Sequence, residues 1–385
     1  MSEAGVLRRL TRKLGVVWPS REQGLVLQAI FAPPAAALAA FAAWQGGLEI
    51  DQPFDHAVMR LLPLLYLRLQ KMGVQDPLMG RLKGVYRRVW SDTHTLFYST
   101  APALAALQAA GIETLLLKGA PMVLGHYRNF GARPMADLDI AVPFADAQAA
   151  FAALEQAGWR AAAPLSQDDL AFRHAMSFRG PDGHEVDLHW RMLFESGDAA
   201  ADAPFWAHTQ PLAFRELPTH GLRPTLNLLH TLAHGMRPNM ESPVRWIADA
   251  LTLLRDPEVA VDWPLFCETA VALGLNHRVL LALGCLQEGY GQEIPATACA
   301  ALRTARRSLP EALELAAMAP RRHWPRPAMV DRGLLITAEF CRLTQRHAAL
   351  AALAMLPEFV RYRLGIAAWP HPVRRVKQGL RRVMG

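Results

Sequence analysis

The chain has 385 residues, of which 52% are hydrophobic and 19% charged. That balance excludes a disordered or low-complexity polymer, and the length allows two or three domains at roughly 150 residues each. The formal net charge is +7, but residues 301–385 carry 16 Arg and Lys against 5 Asp and Glu, so that +11 sits there and −4 is left for residues 1–300. The basicity therefore belongs to the C-terminal part.

Residues 1–110 read as a helical region. The opening MSEAGVLRRLTRKLG is basic but has no compact apolar core with a small-residue cleavage site, so no signal peptide is expected. Gly24 to Leu48 is uncharged and long, yet Pro33-Pro34 and its many alanines read as the start of a core helix rather than a membrane span. The stretches 54–73 and 78–111 then repeat apolar residues every three or four positions, and Gly111 closes the last helix.

The period changes after Gly111. IETLLLK (112–118) and DLDIAVP (137–143) read as buried strands. GAPMVLGHYRNFG (119–131) and FADAQAAFAALEQAGW (144–159) read as helices, and residues 174–193 as a hairpin around Pro181-Asp182-Gly183. Residues 111–200 thus form a small mixed α/β unit. Helical periodicity returns from about residue 223. We divide the chain into 1–110, 111–200, 201–300 and a basic helical 301–385, an α+β arrangement with helical regions on both sides of a small sheet. The four cysteines, Cys267, Cys285, Cys299 and Cys341, show no C-x-x-C spacing, which fits a reduced, cytoplasmic protein without a zinc or redox centre.

The chemistry concentrates in RPMADLDIAV (133–142). On a strand, alternate side chains share a face, so Asp137 and Asp139 point together and Leu138 and Ile140 point into packing. Two carboxylates so close repel unless a cation lies between them, and hard oxygens on one face suit Mg²⁺. Alone, D-x-D also describes two solvated acids at a strand edge. HEVDLHW (184–190) adds a second alternating segment with Glu185, Asp187 and His189 on one face. If that strand pairs beside the first, Asp187 completes a three-carboxylate metal platform. Lys118-Gly119 stands at a strand-to-helix junction where a phosphate can approach backbone, and Arg133 can clamp a phosphate or neutralise the acids. His230 and His234 share a helix face, but no third zinc ligand stands nearby; packing or a cleft position is expected for them. Arg245 and Asp249, also four apart, read as a helix ion pair. The segment 371–385 reads as a basic amphipathic helix that can touch an anionic surface, and no aromatic-interleaved basic stretch signals nucleic acid.

LLLKGAPMVLGHYRNFGARPMADLDIAV with GHEVDLHWRM resembles the stand-alone bacterial nucleotidyltransferases of the DNA polymerase β superfold, over roughly residues 55–255. The resemblance implies a polymerase-β-like core at 111–200 and a covering helical region at 201–300. It implies Asp137, Asp139 and Asp187 as catalytic and metal-binding residues. Lys118, Gly119 and Arg133 become nucleotide-binding residues, and His189 and His234 candidate cleft residues. It implies Mg²⁺ or Mn²⁺ as cofactor and a nucleoside triphosphate, ATP first, as donor to an unidentified small molecule, peptide or protein. The chain departs from the superfold's usual Gly-Ser or Gly-Gly pair, having Gly119-Ala120. The alternative is a nucleotide-binding or regulatory protein that keeps the fold without turnover.

Overall fold

The computed structural model describes residues 19–47, 54–237, 244–318, 328–344, 349–363 and 365. The basic segment 371–385 lies outside them.

The N-terminal part is helical: α1 (Arg21–Phe31), α2 (Pro34–Gln45), α3 (His56–Met59), α4 (Leu62–Lys71) and the long α5 (Leu78–Ala109). Ser20 opens α1 with a capping box to Gln23, and Pro34 stands at the first position of α2. The Ala-rich α2 buries Ala37, Ala40, Phe41 and Trp44, as a core helix should.

Strand β1 is only Leu115–Leu116; the expected helix 119–131 shrinks to a turn α6 (Gly119–Pro121) followed by a π-helical stretch Met122–Tyr127. Arg128, at φ 49° and ψ 34°, ends that stretch in the left-handed region. Then come β2 (Asp137–Ala141), α7 (Ala147–Gln156), β3 (Arg160–Ala161), α8 (Gln167–Phe172), β4 (Ala175–Arg179), β5 (Glu185–His189) and α9 (Ala199–Ala207). Strands β4 and β5 form the expected hairpin, paired antiparallel from Ala175↔His189 to Arg179↔Glu185.

A second hairpin, β6 (Thr209–Phe214) with β7 (Leu217–Leu222), was not expected from sequence. Its prolines argue against strands, yet Pro211 sits on the edge strand β6, and Pro218 lies below the point where β1 pairs with β7. Helices α10 (Pro224–Gly235), α11 (Arg245–Leu254), α12 (Trp263–Ala272), α13 (Asn276–Tyr290), α14 (Ala296–Thr304), α15 (Leu309–Met318), α16 (Ala328–Thr344) and α17 (Ala349–Arg363) follow.

The sheet is mixed and seven-stranded, in the order β3-β4-β5-β2-β1-β7-β6. Apolar clusters cover both its faces. Leu116, Leu138, Ile140, Val186 and Leu188 pack with α5 and α7 on one side. Leu115, Leu117 and Ala141 pack with α10 to α13 on the other. Because β2 alternates, Asp137 and Asp139 share the second side, under the helices that follow the sheet. A buried ion network ties the later helices down: Arg278 donates to Glu195 (2.5 Å) and Glu314 (2.6 Å), and Arg342 donates to Glu314 (2.8 Å). Among the described residues, no helix is long and apolar enough to cross a membrane.

Candidate functional site

Register assembles the acids. Strands β2 and β5 run parallel, with Asp139 directly opposite Asp187 and Asp137 opposite Glu185. The expected pairing of these two segments is thus present. Leu138, Ile140, Val186, Leu188 and Trp190 are all buried, which fixes the opposite face as the polar one. Asp137 and Asp187 are half-buried, and Asp139 is 4% exposed. Ser177, across from Asp187 on β4, donates its hydroxyl to that carboxylate at 2.5 Å. Glu185 stays at the rim, paired with Arg179.

His189 belongs to this cluster rather than to a distant cleft wall. Its Nε2 lies 2.9 Å from Asp139 Oδ1, and ligand atoms of Asp139, Asp187 and His189 all lie within 4.8 Å of one another. The buried Nδ1 of His189 has no hydrogen-bond partner among the described residues. Asp139, Asp187 and His189 thus make a donor set of two carboxylates and an imidazole that fits a divalent cation, while Asp137 shares their face of the sheet without joining that convergent group.

Lys118 reaches the same point from β1. Its Nζ stands 2.5 Å from Asp139 Oδ1, while its backbone holds φ 53° and ψ −105°. That conformation lies outside the regions L-residues favour and costs about 1–3 kcal/mol. Burial by itself would raise the Asp139 carboxyl, but Lys118 and His189 together hold it well below the usual carboxylate range. Asp137 moves the other way: burial raises it, and the charges of Asp139 and Asp187 raise it further. Adjacent acids driven apart in this manner are a recurrent property of functional sites.

Gly119 has a packing reason of its own. A Cβ there would collide with Met135 and with Arg133 Nη1. The close approach of these protein side chains is therefore one reason for glycine here.

Arg133 is buried and its guanidinium is forked onto Asp249, with Nε and Nη2 each 2.9 Å from a carboxylate oxygen. Asp249 also accepts from Tyr127 at 2.8 Å. The expected Arg245–Asp249 helix pair is replaced by this contact, and Arg245 Nη1 donates to the Pro134 carbonyl at 2.7 Å instead. A planar fork satisfies a buried carboxylate better than an i,i+4 neighbour on the same helix can.

Beside the acids lies a cavity of about 150 Å³, lined by Arg60, Lys118, Arg133, His230, Thr231, His234, Gly235, Arg245, Trp246 and Asp249. Burial lowers both histidines, with Lys118 the next cause: His230 falls to about 4 and His234 well below its ordinary value. They therefore stand neutral at pH 7, stacked with ring centroids 6.2 Å apart, and His230 Nε2 lies 3.0 Å from the Met192 carbonyl. Burial likewise lowers Arg245, to about 10, with Arg133 adding to the effect, which still leaves it charged at neutral pH. The wall thus carries four cations against the single carboxylate of Asp249, which Arg133 already engages. Lys118 is common to cavity and acid cluster, and Lys118 and Arg245 both act on Asp137.

Sequence reasoning missed Arg60 in this wall and Ser177 beside Asp187, and it gave Arg245 the wrong partner. For Ser177 the signal was available, because the hairpin turn fixes its register against Asp187. Arg60 comes from a different helical region and has no local signal.

A family model described as an uncharacterised nucleotidyltransferase matches residues 56–291, more than half of the chain. No curated protein and no solved structure matches the chain.

Proposed function

The chain belongs to this family of uncharacterised nucleotidyltransferases, and on that premise we propose that it is a Mg²⁺-dependent enzyme moving a nucleoside monophosphate from a triphosphate to an acceptor. One observation carries the reading: Asp137, Asp139 and Asp187 share a face on paired strands, next to a cavity walled by Arg60, Lys118, Arg133 and Arg245. Acids that hold cations adjoin cations that hold phosphates.

In this reading Asp137, Asp139 and Asp187 hold the divalent ions, Mg²⁺ or Mn²⁺. Divalent ions held there would supply charge neutralisation to the transferring phosphoryl group. Ser177 and His189 orient the carboxylates by hydrogen bonds. Asp187, half-buried where Asp139 is 4% exposed, is the proposed base for the acceptor hydroxyl. The cationic wall receives the phosphates. At about 150 Å³ the cavity suits phosphate groups rather than a whole nucleotide, since pockets for drug-sized ligands run to about 300–1,000 Å³. ATP is the proposed donor, with pyrophosphate as the leaving group, and the acceptor is a small molecule, a peptide or a protein. Residues 111–200 are the proposed catalytic unit and 201–300 its cover, within a polymerase-β-like arrangement and a cytoplasmic protein.

The test is incubation with labelled nucleoside triphosphates and Mg²⁺ or Mn²⁺. Pyrophosphate release or self-labelling is expected, and Asp137→Ala and Asp139→Ala abolish it. Turnover unchanged in both variants refutes the site. Nucleotide binding without turnover would support the regulatory alternative.

A further inference from the structure

One carboxylate of the platform is already engaged. Lys118 Nζ and His189 Nε2 both lie against Asp139 Oδ1, at 2.5 and 2.9 Å. An ammonium thus stands on one oxygen of the carboxylate that would meet a metal ion. Asp139 is 4% exposed, and a carboxylate so enclosed is strongly disfavoured without a positive partner. Whatever displaces Lys118 must bring positive charge of its own.

The displaced ammonium has a place to go. Lys118 also lines the cavity, on a flexible four-carbon stem. The carboxylate in that wall, Asp249, is taken by the Arg133 fork. The wall therefore offers the ammonium no unengaged carboxylate of its own, and an anion that enters from outside would balance its charge there. The strained backbone of Lys118, φ 53°, is of the kind that clusters at ligand clamps and switch points.

We propose that Lys118 couples the two halves of the site: it holds Asp139 until the phosphates of a nucleoside triphosphate draw its ammonium into the cavity. A divalent cation then binds the platform weakly alone and tightly with nucleotide. The inference rests on the nucleotidyltransferase reading above and adds an order to it. Cation and nucleotide assist one another because each compensates a partner of the Lys118–Asp139 pair that the other releases, and such coupling is reciprocal.

The experiment measures Mn²⁺ binding to the full chain from the electron paramagnetic resonance signal of the free ion, with and without a non-hydrolysable ATP analogue. Lys118→Met should bind Mn²⁺ alone about tenfold more tightly than wild type, within the span that site-to-site couplings occupy. Its further gain from nucleotide should shrink by the same factor. Lys118→Arg keeps the charge at Asp139 and should stay near wild type. Lys118→Gln, which retains a hydrogen bond without the charge, should move in the direction of Lys118→Met and serves if methionine is not tolerated. Mn²⁺ affinity in both neutral variants equal to or weaker than wild type overturns the coupling. Asp139→Asn separates the two layers. If it abolishes Mn²⁺ binding while the neutral Lys118 variants match wild type, the platform stands and the coupling falls. If it leaves Mn²⁺ binding unchanged, the platform falls and the coupling with it.

Discussion

The acid side and the cation side of the site are built in opposite ways. Asp137, Asp139 and Asp187 come from two paired strands, and one register places all of them. The cavity wall gathers Arg60 from the N-terminal helices, Lys118 from the end of β1, Arg133 from the loop before β2 and Arg245 from α11. A sheet delivers its chemistry by period and register, while helices deliver theirs only after packing. The acid side should therefore be lost through single side chains, and the cation side through the contacts that hold its elements together.

The largest effect expected is on the acid side. Asp139→Asn should lower nucleotide-dependent pyrophosphate release by about three orders of magnitude, since metal-borne charge stabilisation supplies several kcal/mol. The fold should survive, because an amide fills the same space; a melting curve and the rate together check this. A large fall in melting temperature would mean that Asp139 is structural first.

On the cation side, Asp249→Ala should cost about 3–5 kcal/mol of stability by stranding the buried Arg133, read from urea unfolding. Arg133→Met combined with Asp249→Leu should recover much of that loss while still weakening nucleotide binding. Recovery of binding as well would remove Arg133 from the phosphate wall.

Asp202 offers a control away from both sides. It sits buried in the first turn of α9, and burial pushes its carboxyl up to about 7, while the Ser196 side chain and the Met192 N–H at 3.1 Å oppose the rise. A carboxyl raised on folding keeps its proton where the unfolded chain has lost it. Its cost to stability is therefore absent below about pH 4, grows as pH rises and is complete above about pH 7. Asp202→Asn should be near neutral at pH 4 and more stable than wild type by roughly 2–4 kcal/mol at pH 8 in chemical denaturation. An equal effect at both values would contradict the assignment.

The smallest effect concerns the junction of the two sides. Gly119→Ala should cost about 1–3 kcal/mol by overpacking against Met135 and Arg133, and Met135→Ala should rescue it. If Met135→Ala restores stability but not nucleotide binding, the glycine serves the phosphate as well as the packing.

The sequence made the acid side legible because period-2 alternation needs no knowledge of tertiary structure. Leu138 and Ile140 inward imply Asp137 and Asp139 together, and the Pro181-Asp182-Gly183 turn sets the β4–β5 register. What it left open was whether β5 would lie beside β2, which the apolar residues of both strands decide only when α5 and α7 cover them. The cation wall was mostly illegible. Arg245 and Asp249 at i, i+4 read as a local pair, but the buried fork from Arg133, 116 positions away, wins. The β6–β7 hairpin was hidden by Pro211 and Pro218, whose positions at an edge and beyond the β1 pairing are visible only once the sheet order is known. The helix expected at 119–131 fails after Tyr127, where the chain turns away at Arg128 to carry Arg133 toward Asp249.

The most direct test is a crystal structure of the full chain with Mn²⁺ and a non-hydrolysable ATP analogue, using the anomalous signal of manganese. The account predicts manganese among Asp137, Asp139 and Asp187, with phosphate oxygens in the cavity against Arg60, Arg133 and Arg245. Manganese or phosphates bound elsewhere on the chain, with those carboxylates unliganded, would contradict it.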